Sequence, residues 1–461
     1  MKKIIEFLLY SITLSLLVSA CGATQPSVPS PTLTNTVSPT DIPTSTATST
    51  AIPTDTPVSE ATSTDTPVSK ATPTVIPVPT RPPTATPDVA ALNPLTVCVT
   101  NCDFVSIQAA IDDANTQPGD IIYVIDPVHT EAGIVVDKDV VIYGQGVDQT
   151  IVQAHDGSVK DAPDRVFLIP PEANVEIRAM TIQNGNPHDL LRYGGGILNQ
   201  GRLTLSHVLV RYNQADCGGG IVSQGGTLTI EYSTISSNKA DGVAPPGLEC
   251  GSGGAIKLVE GGNLTMTNST LSRNQAKKRG GGLHISCESQ ATLSNCTISD
   301  NQAGRFGGGI NIGGEANLTH CTITGNIAKG IWPFQDVRGK TGGGISNSGT
   351  LNYTNTIIAN HVKSQGDCVL RSDGQVGESR YNLVEDEGCS PTFSGDPKLA
   401  PLGDNGGTMQ THALQPDSPA LDAISASDCV LDVDQRGQPR PVGQTSIDTP
   451  CDIGAVEMNT D

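Results

Sequence analysis

Between Gly194 and Asn360, apolar and polar positions alternate in short bursts that return at a fixed interval. Leu203/Leu205/Val208/Val210, Leu228/Ile230/Ser233/Ile235, Leu264/Met266/Ser269/Leu271, Ala291/Leu293/Cys296/Ile298 and Ala316/Leu318/Cys321/Ile323 all fall at the same offsets before an asparagine. A period of two is the mark of a strand. The change of phase between the second and third inward position marks a bend, where the chain turns onto another sheet. Each burst follows a glycine cluster: Gly194-Gly195-Gly196, Gly218-Gly219-Gly220, Gly253-Gly254-Ala255, Gly280-Gly281-Gly282, Gly307-Gly308-Gly309 and Gly342-Gly343-Gly344. Each ends at Asn213, Asn238, Asn274, Asn301, Asn326 or Asn360, with a basic period near 25 that insertions stretch twice. A repeat of that size, with no helical stretch, predicts a stacked solenoid whose coils bury their apolar faces only against one another. The expected fold is all-β: a right-handed single-stranded parallel β-helix, with the six asparagines stacked as an internal ladder that satisfies turn amides. Its expected span is about Gly119 to Pro391.

The segments outside the repeats divide the chain. Lys2 and Lys3 precede an apolar run ending in Val18-Ser19-Ala20-Cys21. A basic start, a short apolar region and small residues before a cut describe a secretory signal over 1–20. The cysteine at that place resembles the bacterial lipobox, which implies cleavage before Cys21 and a lipid anchor on its thiol. An ordinary signal peptide with an incidental cysteine is the alternative. Residues 21–94 are almost wholly Thr, Pro, Ser, Ala and Val, with Asp55-Thr56-Pro57-Val58-Ser59 returning at Asp65. Such a stretch lacks the apolar surface to fold and is expected to be a disordered linker. The β-helix is assigned to 95–395 and a C-terminal module to 396–461.

Phe104–Ala114 reads as a short amphipathic helix, and Pro118–Val124 after it as the first strand. This pair resembles the N-terminal cap of pectin-lyase-like β-helix proteins, in which a helix plugs an otherwise bare parallel edge. The glycine-cluster repeats resemble those of polymorphic outer-membrane proteins. The tail resembles the choice-of-anchor Q domain through Leu402–Thr408, Thr411–Leu414, Ser418–Asp422, Asp434–Gly437 and Cys451–Glu457. The resemblance implies a surface β-helix protein of undefined activity.

Composition narrows the function. Lys+Arg 27 against Asp+Glu 47 gives a net charge of −20, which argues against nucleic acid as a partner. One tryptophan, eight tyrosines and six phenylalanines suit narrow coils filled by aliphatic side chains. Of twelve cysteines, the eleven beyond Cys21 are an odd set, so at least one stays unpaired within it. Local bridges are expected for Cys98–Cys102, Cys217–Cys250, Cys368–Cys389 and Cys429–Cys451, with Cys296 and Cys321 as free thiols stacked in the core. No ligand spacing for a metal, no calcium nonapeptide and no cofactor motif occurs, so none is expected.

Chemistry is harder to find. The Gly-His-Gly piece of polygalacturonases is absent, as is the Gln-Asp-Thr piece of pectin methylesterases. His129-Thr130-Glu131 is a weak match to an opening strand of those esterases. Arg436-Gly437-Gln438-Pro439-Arg440 has the wrong spacing for a pectate lyase and is expected to be structural. What stands out is one edge of the solenoid, between each asparagine and the next glycine cluster. From Gln275 to Thr341 it carries Lys277, Lys278, Arg279, Arg305, Lys329, Arg338 and Lys340 against the single acid Asp336. Trp332, the sole tryptophan, and Phe334 lie in the same turns. Cations beside aromatic rings suit an acidic polysaccharide or other cell-surface glycan. The expectation is a lipid-anchored monomer on the extracellular face of a bacterial envelope that binds such a glycan without catalysis. A polysaccharide lyase or hydrolase with an unrecognised site and a purely structural surface repeat protein are the alternatives.

Overall fold

The computed structural model describes residues 92–189, 192–242, 250–330, 340–359, 361, 366–371, 373–441 and 449–458. The expected signal segment, Cys21 and nearly all of the expected linker lie outside these residues, as do Trp332, Phe334, Arg338 and Asn360.

One coil shows how the sequence becomes the fold. Leu283–Ile285 runs in a nine-stranded sheet. A short turn leads into Gln290–Ser294 and Thr297–Ser299, two segments of a nineteen-stranded sheet. After Asn301 the chain crosses a five-stranded sheet at Gln302–Ala303 and passes Gly307–Gly309 into the next coil at Ile310. These four strands pair with their counterparts in the adjacent coils in parallel and in register, whereas the pairing of Thr350–Thr354 with Gln375–Arg380 near the end of the stack carries a bulge between Leu351 and Tyr353. Residues at one offset therefore stack: Leu205, Ile230, Met266, Leu293, Leu318 and Tyr353 form one buried column. Ile197, Ile221, Ile256, Leu283, Ile310 and Ile345 form another. Each fully buried aliphatic side chain contributes about 1.5–3 kcal/mol relative to exposure, so the core runs the whole length of the helix.

The corners obey stricter rules than the flats. Gly280 has φ 61°, and a Cβ on Gly281 would collide with the Gly308 carbonyl of the next coil. Between the two segments of the nineteen-stranded sheet, the left-handed bend is made by His207, Tyr232, Asn268, Asn295, His320 and Asn355 (φ 47–56°). At the next corner the asparagines stack. Backbone N–H of Asn213, Asn238, Asn274 and Asn301 each donates to the Oδ1 of the following rung at 3.0, 3.0, 3.0 and 2.9 Å. Asn360 lies outside the described residues, and the rung after Asn326 is His361, whose Nε2 is 3.4 Å from Asn326 Nδ2.

A second ladder stands at the other bend. The inward column Val208, Ser233, Ser269, Cys296, Cys321, Thr356 is hydrogen-bonding rather than apolar from Ser233 onward. Val208 N donates to Ser233 Oγ at 3.0 Å, Ser233 N to Ser269 Oγ at 3.0 Å, and Cys321 N to Thr356 Oγ1 at 3.2 Å. Ser269 Oγ, Cys296 Sγ and Thr356 Oγ1 each donate to the carbonyl two residues back. Cys296 and Cys321 are free and buried, and burial together with the adjacent Cys321 holds the Cys296 thiol well above its ordinary pKa.

The ends are closed differently. A strand at Leu95–Val97 pairs in parallel with Ile121–Val124 and so precedes the strand expected to be first. Helix α1 spans Ile107–Asp112, shorter than its amphipathic pattern, and buries Ile107, Ala110 and Ile111. Ser106 caps it from within, and Glu131 caps it from the neighbouring coil by accepting Ile107 N at 2.8 Å and Gln108 N at 3.0 Å. The last helical strand is Leu383–Val384. Disulfides join Cys98–Cys102, Cys217–Cys250, Cys368–Cys389 and Cys429–Cys451.

Residues 396–441 and 449–458 fold back along the flank instead of continuing the stack. Gln435 Nε2 donates to Thr270 Oγ1 at 2.9 Å and its Oε1 accepts from Thr297 Oγ1 at 2.6 Å. His412 meets Ser299 at 2.8 Å, and Ala455 N donates to Thr322 Oγ1 at 2.9 Å. Leu414, Ala420, Ile424, Cys451 and Ile453 share a core with the outward Ile357 and Ala359. Arg440 is wholly buried and donates to Glu457 Oε2 at 2.8 Å and to the Asp452 and Gly454 carbonyls. Arg436 pairs with buried Asp434 at 2.7 Å.

Candidate functional site

The cationic edge splits into three places. The first is a groove of about 230 Å³ across the five-stranded sheet, lined by Lys239, Asp241, Gln275, Lys277, Gln302 and Lys329, among others. The strand pairings place Lys239, Gln275 and Gln302 on successive rungs. One step past the buried alanines, Asp241, Lys277, Gly304 and Lys329 follow the same order. Lys239 is tied to Asp241 at 2.8 Å, and Gln214 donates to the same carboxylate at 3.1 Å. Lys277 and Lys329 are exposed, and neither ammonium has a partner among the described residues.

The second place lies on the outer side of the nine-stranded sheet. Arg305 and Arg371 both cover the Phe306 ring, at 4.7 and 3.8 Å from its centroid, and Arg279 bridges to Phe306 through the backbone. Lys278, Arg279 and Arg305 are half-buried and engaged within the protein. In the same sheet Lys257, His284 and Asn311 stack in register and are buried. Lys257 Nζ is 3.3 Å from Cys217 Sγ and stands over the Tyr193 ring at 5.7 Å. Burial, aided by the nearby Lys257 and Arg279 charges, holds His284 well below the usual imidazole range, so its ring is neutral and its Nδ1 accepts from Asn311 at 3.2 Å.

The third place is the far end of the edge. Lys340 does not stand open there; it pairs with Asp386 at 2.8 Å, in a cavity of about 270 Å³ shared with His361, Asp367 and Glu385. His361 Nδ1 donates to Asp367 at 2.8 Å, and the other Asp367 oxygen accepts Asp386 N at 2.9 Å. The count of cations against one acid thus overlooked Asp241 and Asp386, which the fold brings to the edge from outside the turns counted.

Of the residues singled out in sequence, the structure leaves Lys277 and Lys329 open and Lys278, Arg279, Arg305 and Lys340 engaged. Trp332, Phe334 and Arg338 lie outside the described residues. Lys239, Arg371 and Phe306 were missed; Lys239 follows a ladder asparagine directly, and that offset was the available signal. Glu131, noted only for its neighbours, is a helix cap. Among the described residues no group of three His, Cys, Asp or Glu side chains is arranged to hold a metal.

Comparison with known proteins bears on the fold. The family described as "Right handed beta helix region" matches residues 247–341. The chain is a right-handed parallel β-helix. Among solved structures it is similar to the pectate lyase Pel9A (13% identity, 77% of this chain and 91% of that one, TM-score 0.42). It is also similar to pectin methylesterase from carrot (10%, 61% and 88%, TM-score 0.35). A third is the A-module of the mannuronan C-5 epimerase AlgE6 of Azotobacter vinelandii (17%, 63% and 92%, TM-score 0.34). Likenesses of this extent carry no activity over to this β-helix. No curated protein sequence matches the chain.

Proposed function

We propose that this β-helix is a lipid-anchored protein of the bacterial cell surface that binds an anionic glycan along its five-stranded sheet, without catalysing a reaction on it. Cys21 is its anchor and residues 21–94 its tether. Its glycine repeats are of the polymorphic outer-membrane type and its tail is a choice-of-anchor Q module. The observation that carries the binding reading is the pair Lys277 and Lys329, two ammonium groups on one groove with no partner among the described residues, in a chain of net −20. A local reversal of charge attracts a polyanion, and Gln275 and Gln302 offer amides for sugar hydroxyls between the two lysines. The test is binding of the full-length protein to polygalacturonate and to dextran over a salt series. Binding of the acidic polymer alone, weakening as salt rises, supports the reading. Equal binding of both, or release of ultraviolet-absorbing unsaturated products, overturns it.

A further inference from the structure

The groove has a period, and the period bears on which acidic glycan it fits. This inference rests on the anionic-glycan reading above and narrows it. Lys277 N, Gly304 N and Lys329 N donate to the carbonyls of Ala240, Ala276 and Ala303 at 2.8, 2.9 and 2.9 Å. Residues 277, 304 and 329 are therefore three consecutive rungs of one column, spaced by about 4.8 Å. The open cations stand on the first and third, about 10 Å apart along the helix axis. The middle rung carries none, and the fold keeps it so: a Cβ on Gly304 would collide with the Lys277 carbonyl oxygen. Arg305, next in the chain, does not fill the gap, because its guanidinium lies over Phe306 on the outer side of the nine-stranded sheet. The rung before Lys277 is Asp241, paired with Lys239, so that rung offers no open cation. Alongside, Gln275 and Gln302 stand on adjacent rungs and make no side-chain hydrogen bond among the described residues.

We propose that the groove takes an acidic polysaccharide lying parallel to the solenoid axis and carrying one anionic group per disaccharide. Two coils match two sugar units. Alternate sugars place their carboxylates at Lys277 and Lys329, and the neutral sugar between them lies over Gly304 against the two glutamines. A homopolyuronate brings a carboxylate to every sugar, so the one over Gly304 meets no cation.

The experiment compares hexasaccharides of hyaluronan (one carboxylate per disaccharide), of polygalacturonate (one per sugar) and of dextran (none) against the full-length protein by calorimetry at fixed ionic strength. The hyaluronan hexasaccharide is expected to bind about threefold or more tighter than the galacturonate one. Lys329→Ala, an exposed change checked by circular dichroism, is expected to abolish that preference. Equal binding of the two acidic hexasaccharides, tighter binding of the galacturonate, or a preference that survives Lys329→Ala overturns the spacing inference and leaves the anionic-glycan reading standing. If neither acidic hexasaccharide binds more tightly than dextran, the glycan reading itself falls, and this inference with it.

Discussion

Asn274 sits in the middle of the ladder, wholly buried, with its Nδ2 on the Ile235 and Ser272 carbonyls and its Oδ1 accepting Asn238 N. Asn274→Ala is expected to lower stability by about 1–3 kcal/mol, because the amide and carbonyl left behind are out of reach of water. Chemical denaturation reads this directly, and an unchanged midpoint would speak against the ladder as a stabilising feature. Glu457 makes a different case. Burial raises it to about 7 although Arg440 pulls the other way. Its folded-state value lies above its ordinary 4.5, so its contribution favours folding at low pH and is lost as pH rises through about 7. Glu457→Gln removes that slope. The thermal midpoint of the variant, relative to the native protein, is expected to rise between pH 5 and pH 8.

At the scale of elements, the cap and the corners decide which strands form. α1 has only six residues, too few to persist alone, and it stands because Glu131 closes its N-terminus from the next coil. Glu131→Ala is expected to cost about 1–2 kcal/mol and to weaken protection of Ile107–Asp112 in hydrogen exchange before the central coils are affected. Strands were legible in the chain because one alternation recurs at one offset and each recurrence corroborates the others. Corners were legible only where a single residue type repeats. The asparagine ladder announces itself by identity. The second ladder does not, since Ser233, Ser269, Cys296 and Thr356 share a geometry while differing in chemistry, and hydropathy files them with the core. The left-handed bend hides in the same way behind His207, Tyr232 and Asn268. The groove was half legible: Lys277 and Lys329 lie in turns that the repeat marks, whereas the pairing of Lys340 with Asp386 joins residues 46 apart that no local pattern connects.

At the scale of the whole molecule, tether and solenoid are separate questions. Cys21→Ala is expected to move the protein from the membrane fraction to the soluble one with the circular dichroism of the β-helix unchanged; unchanged partitioning would reject the lipid anchor. The tail is another matter. A stack of repeats with only neighbour contacts melts from its ends, one coil at a time. Here a single folded segment is bonded to Thr270, Thr297, Thr322 and Asn355, one residue in each of four successive coils. It acts as a splint on a spring. Peeling the end coil means breaking its bond to the splint as well as its contact with the next coil, so fraying at that end is expected to be suppressed and the melting transition sharpened. A ladder built to come apart rung by rung has thereby become a beam.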